Sequence, residues 1–137
     1  MTSEQHSYDE LAYYTLAHPN QSFIHQHIVD AFAAQHADEK TKPIALVFAL
    51  AGLYLYLEKD YTGKRVQQAH MRMGRKKKDW PVIDLPEHRG AVTVSDVLAA
   101  RPGAERDSMI RAWCASVWEA YKQSHERIAA LVRLWLE

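Results

Sequence analysis

The longest apolar stretch of the chain covers residues 43–57, with the sequence PIALVFALAGLYLYL. It contains no charged or amide side chain, and charged residues follow it from Glu58 onward. A segment that is apolar on every side needs neighbours all round, and this one is shorter than the ~18–20 residues that span a bilayer. A buried strand is the alternative, because the stretch contains valine, phenylalanine and tyrosine. Its length and its alanine and leucine content favour a helix, so we predict a central apolar helix over residues 43–58.

Helical spacing and capping residues predict the other elements. Ser7 with Glu10, and Thr93 with Asp96, have the spacing of capping boxes, and Gly74 stands where a left-handed residue ends a helix. The remaining predicted helices cover residues 7–18, 22–36, 62–73, 94–100 and 104–136. The fold class is therefore all-α: a single domain, residues 1–137, forming a bundle of about five or six helices with a long C-terminal helix.

The apolar face of the second helix is predicted from a rotation of ~100° per residue. The large residues Ile24, Ile28 and Phe32 define this face. His27 lies at its margin, and Asp30 points away from it. The other residues assigned to the face are His25, Val29, Gln35 and His36.

A long segment without helical pattern follows residue 74 and opens with the basic run RKKK. More than a dozen such residues is unusual in a compact domain, and segments of this kind either cover something or move. The apolar side chains predict a strap that packs onto the bundle. They are Trp80, Val82, Ile83 and Leu85.

The composition of the chain limits which classes of binding partner are expected. Lys plus Arg and Asp plus Glu number 17 each, so the formal net charge is zero. Nucleic acids and anionic membranes select basic surfaces, and we expect neither as the main partner. The single cysteine, Cys114, excludes an internal disulfide and fits a reducing compartment. The first residues lack the pattern of a signal peptide, so a cytoplasmic location is expected.

Three stretches carry a family resemblance. They are VDAFAAQH at residues 29–36, TVSDVL at residues 93–98, and RAWCASVWEAY at residues 111–121 followed by His125. In the forms VDA[YF]xxQH, TVxDVL and RxWxxSVWxAYxxxH, these motifs resemble an uncharacterised bacterial all-helical family, a domain of unknown function. The resemblance implies a helical domain and supplies no activity and no catalytic residues.

Histidine is the one enriched residue type with candidate chemistry, at eight positions. His25, His70 and His125 each lie on or beside the apolar stripe of a different predicted helix, and Glu58 ends the central helix. Imidazole and carboxylate groups that meet inside a bundle can bind a divalent transition metal, here zinc, nickel or iron. The alternatives for each histidine are a core residue hydrogen-bonded to a neighbour, or a group in acid–base catalysis.

Two functions of different classes follow from these patterns. One is a metal-binding enzyme that acts on a small molecule, with a histidine site in the bundle and a metal-bound water as nucleophile. The other is a non-enzymatic helical module that self-associates or binds a protein partner. The end of the last helix supports the second, because one face cannot bury all its large apolar residues, and a homodimer is predicted. These residues are Leu131, Leu134, Trp135 and Leu136.

Overall fold

A computed structural model describes residues 3–17, 24–75 and 80–136, and within these ranges the chain is all-α, as predicted. It has seven α-helices and one short 3₁₀ turn, Lys122–Ser124. None of the helices in these ranges is both long and apolar enough to cross a membrane. The helices are α1 Ser3–Ala17, α2 His25–Gln35, α3 Pro43–Lys59, α4 Gly63–Gly74, α5 Val94–Ala99, α6 Ala104–Ala120 and α7 His125–Leu136.

The apolar stretch forms the central helix α3, which packs against α2, α4, α6 and α7. Pro43 occupies the first turn, where its missing N–H is not needed. Asp60 follows the last helical residue and caps the helix. Its backbone is left-handed (φ 58°), and its N–H donates a hydrogen bond to the carbonyl of Leu55. Between these ends, every residue from 49 to 55 is buried. The predicted position of this helix at the centre of the bundle is therefore confirmed.

Side-chain caps fix the starts of two helices as the sequence predicts. The Thr62 hydroxyl accepts a hydrogen bond from the backbone N–H of Arg65 at 3.2 Å and begins α4. Thr93 and Asp96 form the reciprocal capping box that begins α5. Each cap satisfies backbone donors that the first turn of a helix leaves unpaired.

Two predicted helix ends are wrong. The first helix begins at Ser3, four residues before the predicted cap Ser7, and Glu4 adds a carboxylate to its first turn, where the helix dipole favours negative charge. Gly74 does not adopt a left-handed conformation; α4 ends in a tighter right-handed turn in which the Arg75 N–H bonds to the carbonyl of Arg72.

The predicted C-terminal helix is confirmed as a helical segment, with one interruption. At Tyr121 the backbone leaves helical geometry (φ −96°, ψ 21°), and α7 begins after the 3₁₀ turn. The buried Tyr121 hydroxyl donates a hydrogen bond to the Ala34 carbonyl at 2.6 Å. His125 Nε2 lies 2.7 Å from the Trp118 carbonyl, which also accepts the Tyr121 N–H at 3.0 Å, and the rings of His125 and Trp118 stack at 3.8 Å. These contacts redirect the chain so that α7 covers α3 and α4.

The segment after α4 packs onto the bundle through part of its predicted contacts. Trp80 contacts the ring of Phe48 in α3 and the ring of Trp135 in α7, both edge to face, and Ile83 is buried. The strap is therefore confirmed at these two positions. The prediction is wrong at Val82 and Leu85, which are exposed.

Arg89 and Gln35 tie the rest of this segment to the end of α2. The Arg89 guanidinium donates to the carbonyls of Gln35 and Ala37, at 3.3 and 2.6 Å. The Gln35 amide donates in return to the carbonyls of Arg89 and Val92, at 3.3 and 2.9 Å. Its oxygen accepts from Trp113 Nε1 at 2.8 Å. All the polar groups of this one amide are thus paired.

The burial of α3 can be tested with Leu50→Asp. Leu50 is fully buried, so an unpaired carboxylate there should lower the free energy of unfolding by on the order of 3–5 kcal/mol. Leu16→Asp is the matched control because Leu16 is exposed on α1, and it should change stability by only about 0.5 kcal/mol. Urea denaturation followed by circular dichroism measures both. Equal stability of Leu50→Asp and the wild type would contradict the central position of α3.

Candidate functional site

The buried face of α2 differs from the predicted one. The two polar side chains His27 and Asp30 are buried inside the bundle, with exposed fractions of 2 % and 3 %. The prediction placed Asp30 away from the core because it assumed a single apolar face. In the structure α2 packs against α1, α3, α4 and α6, so more than one of its faces is covered. Its buried residues are His27, Ile28, Asp30, Ala31 and Ala34.

Gly52 leaves the space that the Asp30 carboxyl occupies. A Cβ atom built on Gly52 would collide with Asp30 Oδ2 and would lie 2.7 Å from Asp30 Cγ. The same Cβ would lie 3.2 Å from His70 Nε2. The carboxyl of α2 and the imidazole of α4 therefore lie beside the same point on α3. We refer to three residues as the Gly52 cluster: Asp30 and His70, which lie beside Gly52, and His27, which lies one helical turn before Asp30 on α2.

The Asp30 carboxyl is only half satisfied. Its Oδ1 accepts a hydrogen bond from Gln26 Nε2 at 3.2 Å, and its Oδ2 is buried without a hydrogen-bond partner in the described part of the chain. Burial raises the pKa of this carboxyl well above its ordinary value of 3.8, and the hydrogen bond from Gln26 opposes the change only in part. Burial therefore favours the protonated, neutral acid.

His27 lies one turn before Asp30 on the same side of α2. Its ring stacks on Tyr56 at 3.5 Å, and its Nδ1 is buried with no hydrogen-bond partner among the described residues. Burial lowers the pKa of His27 to about 4, and the positive charge of Arg111 acts in the same direction. The imidazole is consequently neutral at pH 7.

His70 completes the cluster from α4. Its Nε2 lies 2.8 Å from the Phe48 carbonyl of α3, and the two rings stack at 5.1 Å. Burial lowers the pKa of His70, and the bond to the Phe48 carbonyl opposes this change. His70 and Gln26 are only partly buried, so the cluster reaches solvent on this side.

Burial shifts the protonation equilibria of all three cluster residues toward their neutral forms. A carboxyl ordinarily loses its proton well below pH 7, and burial raises the pKa at which the Asp30 carboxyl does so. Burial also favours loss of the imidazole proton from His27 and His70. The cluster thus offers an acid that can donate a proton and neutral bases that can accept one. Cys114 adds no nucleophile, because burial raises the pKa of its thiol.

Each of the four predicted metal ligands has a hydrogen-bond partner within the described part of the chain. His25 Nδ1 lies 2.9 Å from the Thr15 hydroxyl, and His70 lies against the Phe48 carbonyl. His125 and Glu58 both contact Trp118: the imidazole lies at its carbonyl, and Glu58 Oε2 accepts from its indole Nε1 at 2.7 Å.

In residues 3–17, 24–75 and 80–136, no three histidine, cysteine, aspartate or glutamate side chains are placed to hold one metal ion. The zinc, nickel or iron site at His25, His70, His125 and Glu58 accordingly stays a prediction. Of these four residues, only His70 belongs to the Gly52 cluster.

Sequence reasoning missed Asp30, His27 and Gly52, although two local signals pointed to them. A glycine inside a helix costs about 1 kcal/mol relative to alanine, and such a residue often marks a close approach of another group. Asp30 stands between Val29 and Ala31 in an otherwise apolar run. Which groups meet could not be derived, because the pairing of α2 with α3 depends on tertiary packing.

The close approach at Gly52 predicts a specific coupling to Asp30. Gly52→Ala should lower the free energy of unfolding by on the order of 1–3 kcal/mol, because the new methyl group meets the carboxyl. In an Asp30→Ala background, the same substitution should cost much less. Gly74→Ala is the control, since its Cβ would meet only Phe48 Cζ at an ordinary 3.9 Å. A cost of Gly52→Ala that is the same in both backgrounds, measured by urea denaturation, would contradict the contact.

Comparison with known proteins identifies a family without an assigned activity. No curated protein and no solved structure matches the chain significantly. A family model matches residues 5–122, which include the whole Gly52 cluster, and it is described as a family of unknown function, DUF5946. This match confirms the resemblance that the three sequence motifs indicate. The chain belongs to the DUF5946 family of unknown function.

Proposed function

We propose that this domain is a small-molecule enzyme whose proton-transfer chemistry is carried by the Gly52 cluster. The observation that supports the proposal is the buried Asp30 carboxyl, one oxygen of which has no partner among the described residues, beside a helix position that has no side chain. An unsatisfied buried polar group costs on the order of 1–3 kcal/mol. Groups with this cost and with shifted pKa values concentrate at functional sites.

The reaction class follows from the two protonation states. A neutral carboxylic acid can donate a hydrogen bond to a carbonyl oxygen of a substrate, where negative charge develops. A neutral imidazole can remove a proton from the adjacent carbon, and the imidazolium returns it at the end of the cycle. In this proposal Asp30 is the donor and His27 is the base. The substrate is a small carbonyl compound that enters on the side where Gln26 and His70 reach solvent.

The activity can be sought without knowing the substrate. Incubation of the protein in deuterium oxide with a mixture of small carbonyl compounds should exchange C–H for C–D next to the carbonyl, with loss of proton NMR signals. Asp30→Asn and His27→Gln should each slow this exchange by at least ~100-fold. His88→Gln, which removes an exposed imidazole from the loop after α4, should not. Wild-type exchange no faster than in buffer, or equal rates in all variants, would contradict the proposal.

The pH dependence of the stability of Asp30→Asn tests whether the pKa of the Asp30 carboxyl is raised in the folded protein. Because the folded pKa of Asp30 is raised, the unfolded chain loses this proton first, and the wild type loses stability as the pH rises from about 4 to the folded pKa. Asparagine cannot ionise, so Asp30→Asn should become increasingly more stable than the wild type across this range.

Elemental analysis of protein purified without an affinity tag, for zinc, nickel and iron, tests the metal prediction separately.

A second candidate function, self-association, is favoured by exposed apolar side chains beside α7. Of the four residues on which the dimer prediction rests, Trp135 is buried and two are half-buried, whereas Leu134 is 67 % exposed. Val82 is 71 % exposed, and its carbonyl accepts from Arg127 of α7 at 3.4 Å. On the exposed face of α7, an antiparallel second copy would bring Glu126 opposite Arg133 across the small residue Ala130.

Light scattering tests this candidate. The wild type should be a dimer at micromolar concentration, and Leu134→Glu should convert it to a monomer by placing charge in the apolar contact. Tyr13→Glu alters an equally exposed residue on α1 and should leave the dimer intact. A monomeric wild type would remove self-association and leave the enzyme proposal untouched.

A further inference from the structure

Positive charge is concentrated on α4 in a chain whose formal net charge is zero. Residues 61–78 contain seven lysine and arginine residues and no aspartate or glutamate. Val66, Ala69 and Met73 bury the inner face of α4, so its cationic residues lie on the outer face. Those described by the structure are all exposed: Lys64, Arg65, Arg72 and Arg75.

A groove runs along this basic face, between the end of α3, α4 and the end of α7. It consists of two adjoining cavities of about 250 and 200 Å³, both lined by Tyr61, Arg72 and Leu136. Neither cavity is lined by an acidic side chain among the described residues. Together they have the size of small-molecule sites, which commonly occupy some 300–1,000 Å³. The other lining residues are Tyr54, Leu55, Lys59, Val132 and Arg133 in the first, and Arg65, Gln68 and Ala69 in the second.

Contacts with neighbouring groups hold the cationic side chains in the groove. The Arg65 guanidinium lies 3.9 Å from the centre of the Tyr61 ring, and Lys59 Nζ lies 5.9 Å from that of Tyr54. Arg72 Nη2 donates to the Leu136 carbonyl at 2.7 Å. A guanidinium has five N–H donors, so Arg72 keeps others that can face a ligand. Side chains that are already ordered lose less conformational entropy when an anion binds.

We propose that this groove binds a small organic phosphate. The arginine forks match the geometry of phosphate oxygens, and none of the described residues that line the groove carries a carboxylate that would pair with them. The apolar wall formed by Val132 and Leu136 suits an organic body attached to the phosphate. A concave site of this volume fits a small molecule rather than a duplex or a bilayer surface, which need a broad basic face. This site is separate from the Gly52 cluster, which lies on the inner side of α4.

Isothermal titration with phenyl phosphate and with inorganic phosphate tests the site. The wild type should bind phenyl phosphate with a Kd below ~1 mM at low salt, and more tightly than inorganic phosphate, because only the former has an apolar body. Arg65→Gln and Arg72→Gln should each weaken phenyl phosphate binding by roughly tenfold, since each removes a charge-assisted hydrogen bond. Arg101→Gln removes the same charge from the turn before α6 and should bind like the wild type.

Three results would overturn the proposal. They are no binding of phenyl phosphate to the wild type, unchanged binding in both variants, or loss of binding in Arg101→Gln to the same extent. Tighter binding of double-stranded DNA or of anionic phospholipid vesicles than of phenyl phosphate would also overturn it, in favour of a macromolecular partner. Circular dichroism of each variant checks the fold. Arg72, not Arg65, donates the hydrogen bond to the Leu136 carbonyl. The Arg65→Gln variant therefore remains informative if Arg72→Gln loosens the end of α7.

Discussion

The contact between the Asp30 carboxyl and the backbone of α3 at Gly52 determines how the central part of this bundle is arranged. The central helix is buried along seven consecutive residues by helices on several sides. At one position it has no side chain, and there a polar group from α2 and one from α4 approach its backbone. A larger residue at position 52 would force the Asp30 carboxyl, or the helix that carries it, to move, and closely packed interiors tolerate such a change poorly.

The Gly52 cluster differs from the rest of the described interior in its hydrogen bonding. Other buried or partly buried polar groups have hydrogen-bond partners. For example, the Tyr121 hydroxyl donates to a carbonyl of α2, and the Trp118 indole donates to Glu58. The buried side-chain atoms left without partners in the described ranges are His27 Nδ1 and Asp30 Oδ2, one turn apart on a single helix. Both unsatisfied atoms are therefore in one place, and the apolar packing around α3 has to offset their cost.

Most of the fold could be predicted from the sequence because its signals are local. The apolar run located α3, and the side chains of Thr62 and Thr93 located the starts of α4 and α5. The break at Tyr121 was not predicted, since it depends on a hydroxyl contact with a residue 87 positions earlier. The interior position of Asp30 was missed for the same reason. The assumption that a helix has one buried face holds for a surface helix. It does not hold for α2, which other helices cover on several sides. Enrichment in histidine suggested a metal site in the bundle, which stays a prediction, and of its four residues only His70 lies in the Gly52 cluster.

The reciprocal hydrogen bonds between Arg89 and Gln35 couple the described part of the loop after α4 to the end of α2, although the loop has no regular secondary structure. Releasing this loop would leave the carbonyls of Gln35 and Ala37 without the guanidinium and would unpair the Gln35 amide from two further carbonyls. At about 1 kcal/mol for each hydrogen bond, opening would cost several kcal/mol, a large part of the stability of a small domain. The loop therefore belongs to the same cooperative unit as α2, and its backbone should open to solvent only in events that also release the end of that helix.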